Sequence, residues 1–105
     1  LTGGVPSHVY AAGYLEPDDV GVLDAEGVVG DVCTVFLRAD GTYRDISLNA
    51  RATGPSPAEL RRIPRRLCAV AGDNKTAPLR AALAAGVVTD LVVDEVTAAR
   101  FVAGR

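Results

Sequence analysis

Val70-Ala71-Gly72-Asp73-Asn74-Lys75 is the segment of this 105-residue chain whose residue types best suit chemistry. It reads as a buried strand, a glycine turn and a helix from Thr76 to Ala85 that Gly86 closes. A helix N-terminus presents unpaired N–H groups and a partial positive charge, which suits an anion such as phosphate. The Lys75 ammonium adds a mobile full charge at the same spot. The same residues also fit a plain tight turn with a solvated lysine, because a glycine turn alone is a weak signal.

Asp31, in the pair Gly30-Asp31, is the second candidate. A carboxylate that accepts sugar hydroxyls and a lysine that holds phosphate together make a sugar-phosphate site. A turn or cap role fits Asp31 equally well. Open parallel sheets bind ligands beyond the C-terminal ends of their strands. Gly3 and Gly4 follow a presumed first strand, Gly72 to Lys75 the next, and Asp94-Glu95 the last. Gly30-Asp31 falls at a strand entrance, from which a bent chain can still reach the same crevice. For Asp94 and Glu95 the simpler reading is a helix cap and a first-turn acid. His8 reads as a solvated loop residue. Arg61-Arg62 and Arg65-Arg66 have no aromatic partners and flank a helix end, so they read as a solvated face.

The elements that must hold these residues follow from the apolar pattern. Glu16-Pro17-Asp18-Asp19 opens a helix with Val20, Leu23 and Val22 as its buried side, and Gly27 ends it. Val28 to Leu37 reads as a buried strand entered through Gly30-Asp31. Ala39 to Thr42 makes a hairpin-type turn, and Tyr43 to Leu48 a short return strand. Ser56-Pro57-Ala58-Glu59 has the capping-box pattern, and Pro64 stops that helix early. Leu67 to Ala71 and Leu91 to Val93 read as fully buried strands. The helix between them turns Leu79, Ala82 and Leu83 inward, and Asp94 caps a last helix with Val96, Ala99 and Val102 inward. Apolar strands alternating with helices indicate parallel βαβ units in one α/β domain covering residues 1–105.

Composition sets the outer bounds. Hydrophobic residues make up 49% of the chain and Trp and Met are absent, so a modest core must come from Val, Leu, Ala and Ile. The net charge of −2, with both signs interleaved, is unlike the strong basic excess of an autonomous nucleic-acid binder. No apolar run has the length to span a bilayer. Cys33 and Cys68 sit in apolar runs and read as reduced, buried small hydrophobes, so we expect a cytoplasmic protein. They and His8 make no recognisable metal site, no cofactor is expected, and nothing resembles a Ser/His/Asp or Cys/His nucleophile pair. Leu1-Thr2-Gly3-Gly4-Val5 looks like a strand end running into a glycine loop, and we expect the chain to be part of a longer protein.

The order of signals resembles the effector-binding domain of the SorC family of bacterial transcriptional regulators. The resemblance is carried by Gly13-Tyr14-Leu15, Gly27-Val28-Val29-Gly30-Asp31-Val32-Cys33, Phe36, Asp40-Gly41 and Leu48-Asn49-Ala50-Arg51. It continues through Leu60-Arg61-Arg62-Ile63-Pro64, Val70-Ala71-Gly72 with Lys75, and Asp94-Glu95-Val96-Thr97-Ala98. It implies a parallel-sheet, three-layer fold like glucosamine-6-phosphate deaminase and ribose-5-phosphate isomerase, here incomplete at the N-terminus. It implies a phosphorylated sugar as effector, operator DNA bound only through an N-terminal helix-turn-helix segment outside this chain, and homo-oligomerisation. By the same resemblance Asp31 matches the family's acidic ligand contact, Lys75 its phosphate-contacting lysine, and Gly3 and Gly4 its glycine loop near the sugar. Asp73 stands where the family's turn usually has a second glycine.

Three functions stay open at this point. The chain is the C-terminal part of a regulator's effector domain, or a sugar-phosphate isomerase or deaminase of the same fold, or an oligomerisation fragment with a vestigial site. The deaminase reading would use Asp31 as proton-transfer base and calls for a histidine and further acids after the glycine loop, which Pro6-Ser7-His8 does not supply.

Overall fold

The computed structural model describes residues 3, 4, 6–11, 13 and 15–104, with the side chains of 3, 4, 7, 8, 11 and 73 left aside. Expectations about Leu1, Thr2, Val5 and Tyr14, and about the side chains of His8 and Asp73, therefore lie outside the described residues.

Strand β1 (Gly3–Gly4) leads to helix α1 (Pro6–Ala11) and helix α2 (Pro17–Ala25). The segment around His8 is thus helical rather than a loop, with Pro6 at the helix start, where a missing N–H is harmless. In α2 the Asp19 carboxylate accepts from the Glu16 N–H at 2.9 Å and Leu23 is fully buried. Val22, expected on the inner side, is exposed.

The apolar run that reads as one strand is two. Strands β2 (Val28–Val32) and β3 (Val35–Arg38) form a hairpin in which Val32 pairs with Val35. Cys33 and Thr34 make the turn with φ of 51° and 68°. Such turns normally carry Asn-Gly or Asp-Gly, so Cys-Thr hides the break. β1 pairs antiparallel on the other side of β2, giving the order β1-β2-β3.

The expected return strand from Tyr43 to Leu48 does not form. Ser47–Arg51 is a 3-10 turn instead, and the Asn49 side chain takes the strand's place at the edge of β3. Its Oδ1 accepts from the Phe36 N–H at 2.7 Å, and its Nδ2 donates to the carbonyls of Phe36 and Tyr43 at 3.1 and 3.2 Å. One amide supplies a donor and an acceptor in the geometry a strand would have offered.

Helix α3 (Pro57–Leu60) starts with the expected capping box: Ser56 Oγ accepts from the Glu59 N–H at 3.2 Å. Strand β4 (Leu67–Val70), helix α4 (Thr76–Ala84) and strand β5 (Asp90–Val93) form a parallel βαβ unit, and helix α5 (Glu95–Ala103) follows. The α/β class holds, but among the described residues parallel pairing is confined to β4 and β5, and β1 to β3 are antiparallel.

One core cluster joins Val32 and Leu37 of the hairpin to Leu60, to Ala81 and Ala82 of α4, and to Ala85 and Val87. A second gathers Val9, Leu23, Val28, Phe36, Ile46 and Leu48. β4 and β5 contribute to neither, contrary to the expectation of buried strands: Leu67 is 54% and Val92 58% exposed. In α5 the inward side is Thr97 and Phe101, while Val96, Ala99 and Val102 face solvent. Leu83 of α4 is exposed as well, and Cys33 and Cys68 are free thiols only half buried. For β4, β5 and α5 the reason is shared: no described layer lies over this end of the fold.

Arg61, Arg62 and Arg65 are exposed, as a solvated face requires, and Arg66 is partly buried, but two of these guanidinium groups also bond the backbone. Arg61 donates to the carbonyl of Ala85 at 2.6 Å, and Arg66 to the carbonyls of Val87 and Ile63 at 2.9 and 2.6 Å. The Ala85 and Val87 carbonyls lie just beyond the C-terminus of α4, where a cation is favoured, and that of Ile63 lies just beyond α3. Arg65 pairs with Asp90 at 3.3 Å on the surface.

Candidate functional site

The sequence-predicted residues fall into two groups. The first forms in the antiparallel sheet, where Gly4 of β1 is the register partner of Asp31 and Gly3 that of Val32. Asp31 is therefore inside a strand, one residue before its C-terminal end, and not at its entrance, and it is buried with 7% exposure. A buried carboxylate is stable only if hydrogen-bonded, and the Thr34 N–H donates to its Oδ2 at 3.1 Å. That bond closes over the Cys33-Thr34 turn and ties the carboxylate to two residues held at positive φ. The loop after Arg51 lies directly on this turn, since a Cβ on Gly54 would stand 2.5 Å from the Cys33 carbonyl oxygen.

Beside the turn is a cleft of about 160 Å³, lined by Val9, Leu15, Phe36 and Leu48 with Thr34 and Arg51 at its polar side. Arg51 is fixed there by a two-point bond to Asp19, at 3.1 and 3.2 Å. The Glu16 N–H, followed by Arg51, holds the Asp19 carboxyl below the ordinary carboxylate range.

The second group is the turn between β4 and α4. Gly72 has φ 127° and ψ 147°, a conformation that only glycine adopts readily. Its N–H donates to the Thr97 hydroxyl at 3.0 Å, and its carbonyl accepts from the Lys75 N–H at 3.2 Å. A 3-10 turn over Asp73–Lys75 winds directly into α4, so Lys75 stands at the head of the helix, just past the C-terminal end of a parallel strand.

Thr97 is 1% exposed in the first turn of α5, where its N–H donates to Asp94 Oδ2 at 3.1 Å. The Thr97 hydroxyl and N–H keep the Asp94 carboxyl below its ordinary range. Asp94 is thus the cap of α5, its simpler reading, while Thr97 links that cap to the Gly72 turn. Sequence reasoning missed Thr97 because its local pattern, Asp-x-x-Thr, gives no hint of a partner 25 residues earlier.

Helix α4 runs from one group towards the other. Its head carries Lys75, and its Ala81 and Ala82 pack in one cluster with Val32, the neighbour of Asp31.

Comparison with known proteins shows the family. The family described as "Putative sugar-binding domain" matches residues 4–103. The chain belongs to this sugar-binding domain family. The transcriptional regulator YjhU of Escherichia coli K12 is 38% identical over 72 residues, covering 69% of this chain and 22% of the relative. The transcriptional regulator LsrR of Escherichia coli O139:H28 is 35% identical over 75 residues, covering 70% and 24%. The chain therefore spans less than a quarter of the length of these curated relatives.

Among solved structures, a domain of a possible sugar-binding transcriptional regulator from Arthrobacter aurescens superposes with a TM-score of 0.89 at 52% identity. The match covers 95% of this chain and 39% of that one. A DeoR-family transcriptional regulator from Listeria monocytogenes gives 0.87 at 30% identity, covering 94% and 41%. The full-length sorbitol operon regulator SorC of Klebsiella pneumoniae gives 0.79 at 22% identity, covering 92% of this chain and 32% of that one, which shows the fold alone. No described helix is long and apolar enough to cross a membrane.

Proposed function

We propose that this chain is the C-terminal part of the effector domain of a bacterial transcriptional regulator, and that it holds a phosphorylated sugar between Asp31 and Lys75. In this reading Asp31 accepts sugar hydroxyls, with Gly3 and Gly4 leaving room for the sugar beside it. Lys75 and the turn at Gly72 take the phosphate. Occupancy shifts the regulator's affinity for operator DNA by linkage, the DNA being contacted by a helix-turn-helix segment outside this chain. The chain senses and does not catalyse, the regulator works as a homo-oligomer in the cytoplasm, and the βαβ unit extends into a sheet like that of glucosamine-6-phosphate deaminase.

The observation that carries the reading is the placement of Lys75. It stands at the head of α4 beyond the C-terminal end of β4, where α/β sheets bind ligands, in a chain of a sugar-binding domain family. A thermal-shift screen of the full-length regulator against phosphorylated and unphosphorylated sugars tests it. Phosphorylated sugars should raise the melting temperature, and Lys75→Ala should abolish that rise while leaving the unliganded melting temperature unchanged. An undiminished shift in Lys75→Ala removes this lysine from the site.

A further inference from the structure

The cleft beside the Cys33-Thr34 turn cuts into the second core cluster rather than lying on the surface. Val9, Phe36 and Leu48 of that cluster line it, together with Leu15, which packs against the cluster. Interiors are normally filled to close contact, so an opening between core side chains is space made for something other than this part of the chain. Its volume of about 160 Å³ is that of the apolar cavities, ~150 Å³, that admit a benzene ring.

The polar side of the cleft is electrically balanced. Arg51 is fixed by its two-point bond to Asp19, at 3.1 and 3.2 Å, and the Glu16 N–H also donates to that carboxylate at 2.9 Å. The guanidinium has more N–H donors than Asp19 engages, so it can still donate to an oxygen, but the pair carries no net charge to hold a second carboxylate. The Thr34 hydroxyl donates to the Cys33 carbonyl at 2.6 Å and keeps its capacity to accept. Such a site suits a neutral apolar group that carries an oxygen. A charged group would lose its hydration with nothing to balance it.

The cleft is also continuous with the Asp31 end of the candidate site. Asp31 and Phe36 are register partners in β2 and β3, so their side chains leave the same face of the sheet. Thr34 lines the cleft while its N–H donates to Asp31 Oδ2. We propose that the cleft binds a neutral apolar group of about the size of a phenyl ring, with a hydroxyl or ether oxygen towards Thr34 and Arg51. Two sources offer that chemistry: the aglycone of a phosphorylated sugar held at Asp31, or a separate ring alcohol bound next to it. The first rests on the sugar-phosphate reading above; the cleft itself does not.

Methyl NMR of the full-length regulator titrated with phenol tests the proposal. The Val9, Leu15 and Leu48 methyl resonances should shift saturably, and those of Leu83 and Val102, which do not line the cleft, should not. Ala52 and Thr53 also line the cleft. Ala52→Phe should fill it and abolish the shifts, and Thr53→Phe provides the same block should Ala52→Phe fail to fold. Benzoate, similar in shape but charged, should bind at least about tenfold more weakly than phenol. No saturable shift at these methyls, shifts that survive the block, or benzoate binding as well as phenol overturns the proposal. Melting temperatures with phenyl glucoside 6-phosphate and glucose 6-phosphate separate the sources. A larger rise for the phenyl compound, lost in Ala52→Phe, supports the aglycone, and phenol binding without that excess supports the separate alcohol. Phenol binding in a regulator that no sugar phosphate stabilises would sink the sugar-phosphate reading and leave the cleft standing as a site.

Discussion

Thr97 uses one hydroxyl to accept from Gly72 and, with its N–H, to hold the Asp94 carboxylate, so a single side chain joins the cap of α5 to the turn bearing Lys75. Glycine allows the φ of 127° at Gly72, and this bond selects it from the wide range that glycine can adopt. Thr97→Val keeps the volume and removes the hydroxyl, leaving the Gly72 N–H without its partner. The expected loss is about 1–2 kcal/mol of stability. Amide exchange gives the sharper readout: the Gly72 N–H should be protected in the parent, fast in Thr97→Val and protected again in Thr97→Ser. Equal protection in all three would show that the bond does not hold the turn. The positions of Gly72 and Lys75 were legible in the sequence because an apolar strand, a glycine and a helix pattern are local signals. The depth of Asp31 was not, because it depends on a hairpin turn written as Cys33-Thr34 and on pairing with Gly4, 27 residues away in sequence.

At the scale of elements, the helices were the most readable part. Proline at the start of α2 and α3 and the Ser56–Glu59 box act within one turn, so their residues alone determine them. Strand pairing is decided between distant segments, and there the reading failed from Tyr43 to Leu48. Their apolar side chains do enter the core, as Ile46 and Leu48 show, but the edge of β3 is satisfied by Asn49 rather than by a strand. Asn49→Ala should therefore cost more than a surface change, about 2–4 kcal/mol, because it strands the N–H and carbonyl of the buried Phe36 together. Asn49→Asp keeps the acceptor for the Phe36 N–H but loses both donations, so it should not restore stability. Urea denaturation midpoints check this series. A loss for Asn49→Ala of less than about 0.5 kcal/mol would mean that water replaces the amide and that the edge needs no side-chain partner.

Over the whole molecule, the carboxylates whose acidity is strengthened are spread across the fold and act together. Asp19 is held by the Glu16 N–H and Arg51, Glu26 by the Ser47 hydroxyl and N–H, Asp40 by the Thr42 hydroxyl and N–H, and Asp94 by Thr97. In the unfolded chain these groups return to ordinary values of 3.8 for Asp and 4.5 for Glu, so on acidification it is the unfolded state that takes up protons first. Unfolding is then coupled to proton binding, and stability falls with falling pH. The contribution is fully present above the ordinary carboxylate range and is lost as the pH drops through the lowered values of the folded state. Denaturant midpoints should stay level from neutral pH to about pH 5 and decline below about pH 4. Ser47→Ala removes the largest cause at Glu26 and should make that fall shallower, with the neutral-pH midpoint lowered to match. A midpoint that holds steady or rises between about pH 5 and pH 3 would show that these four contacts are no stronger folded than the solvation they replace.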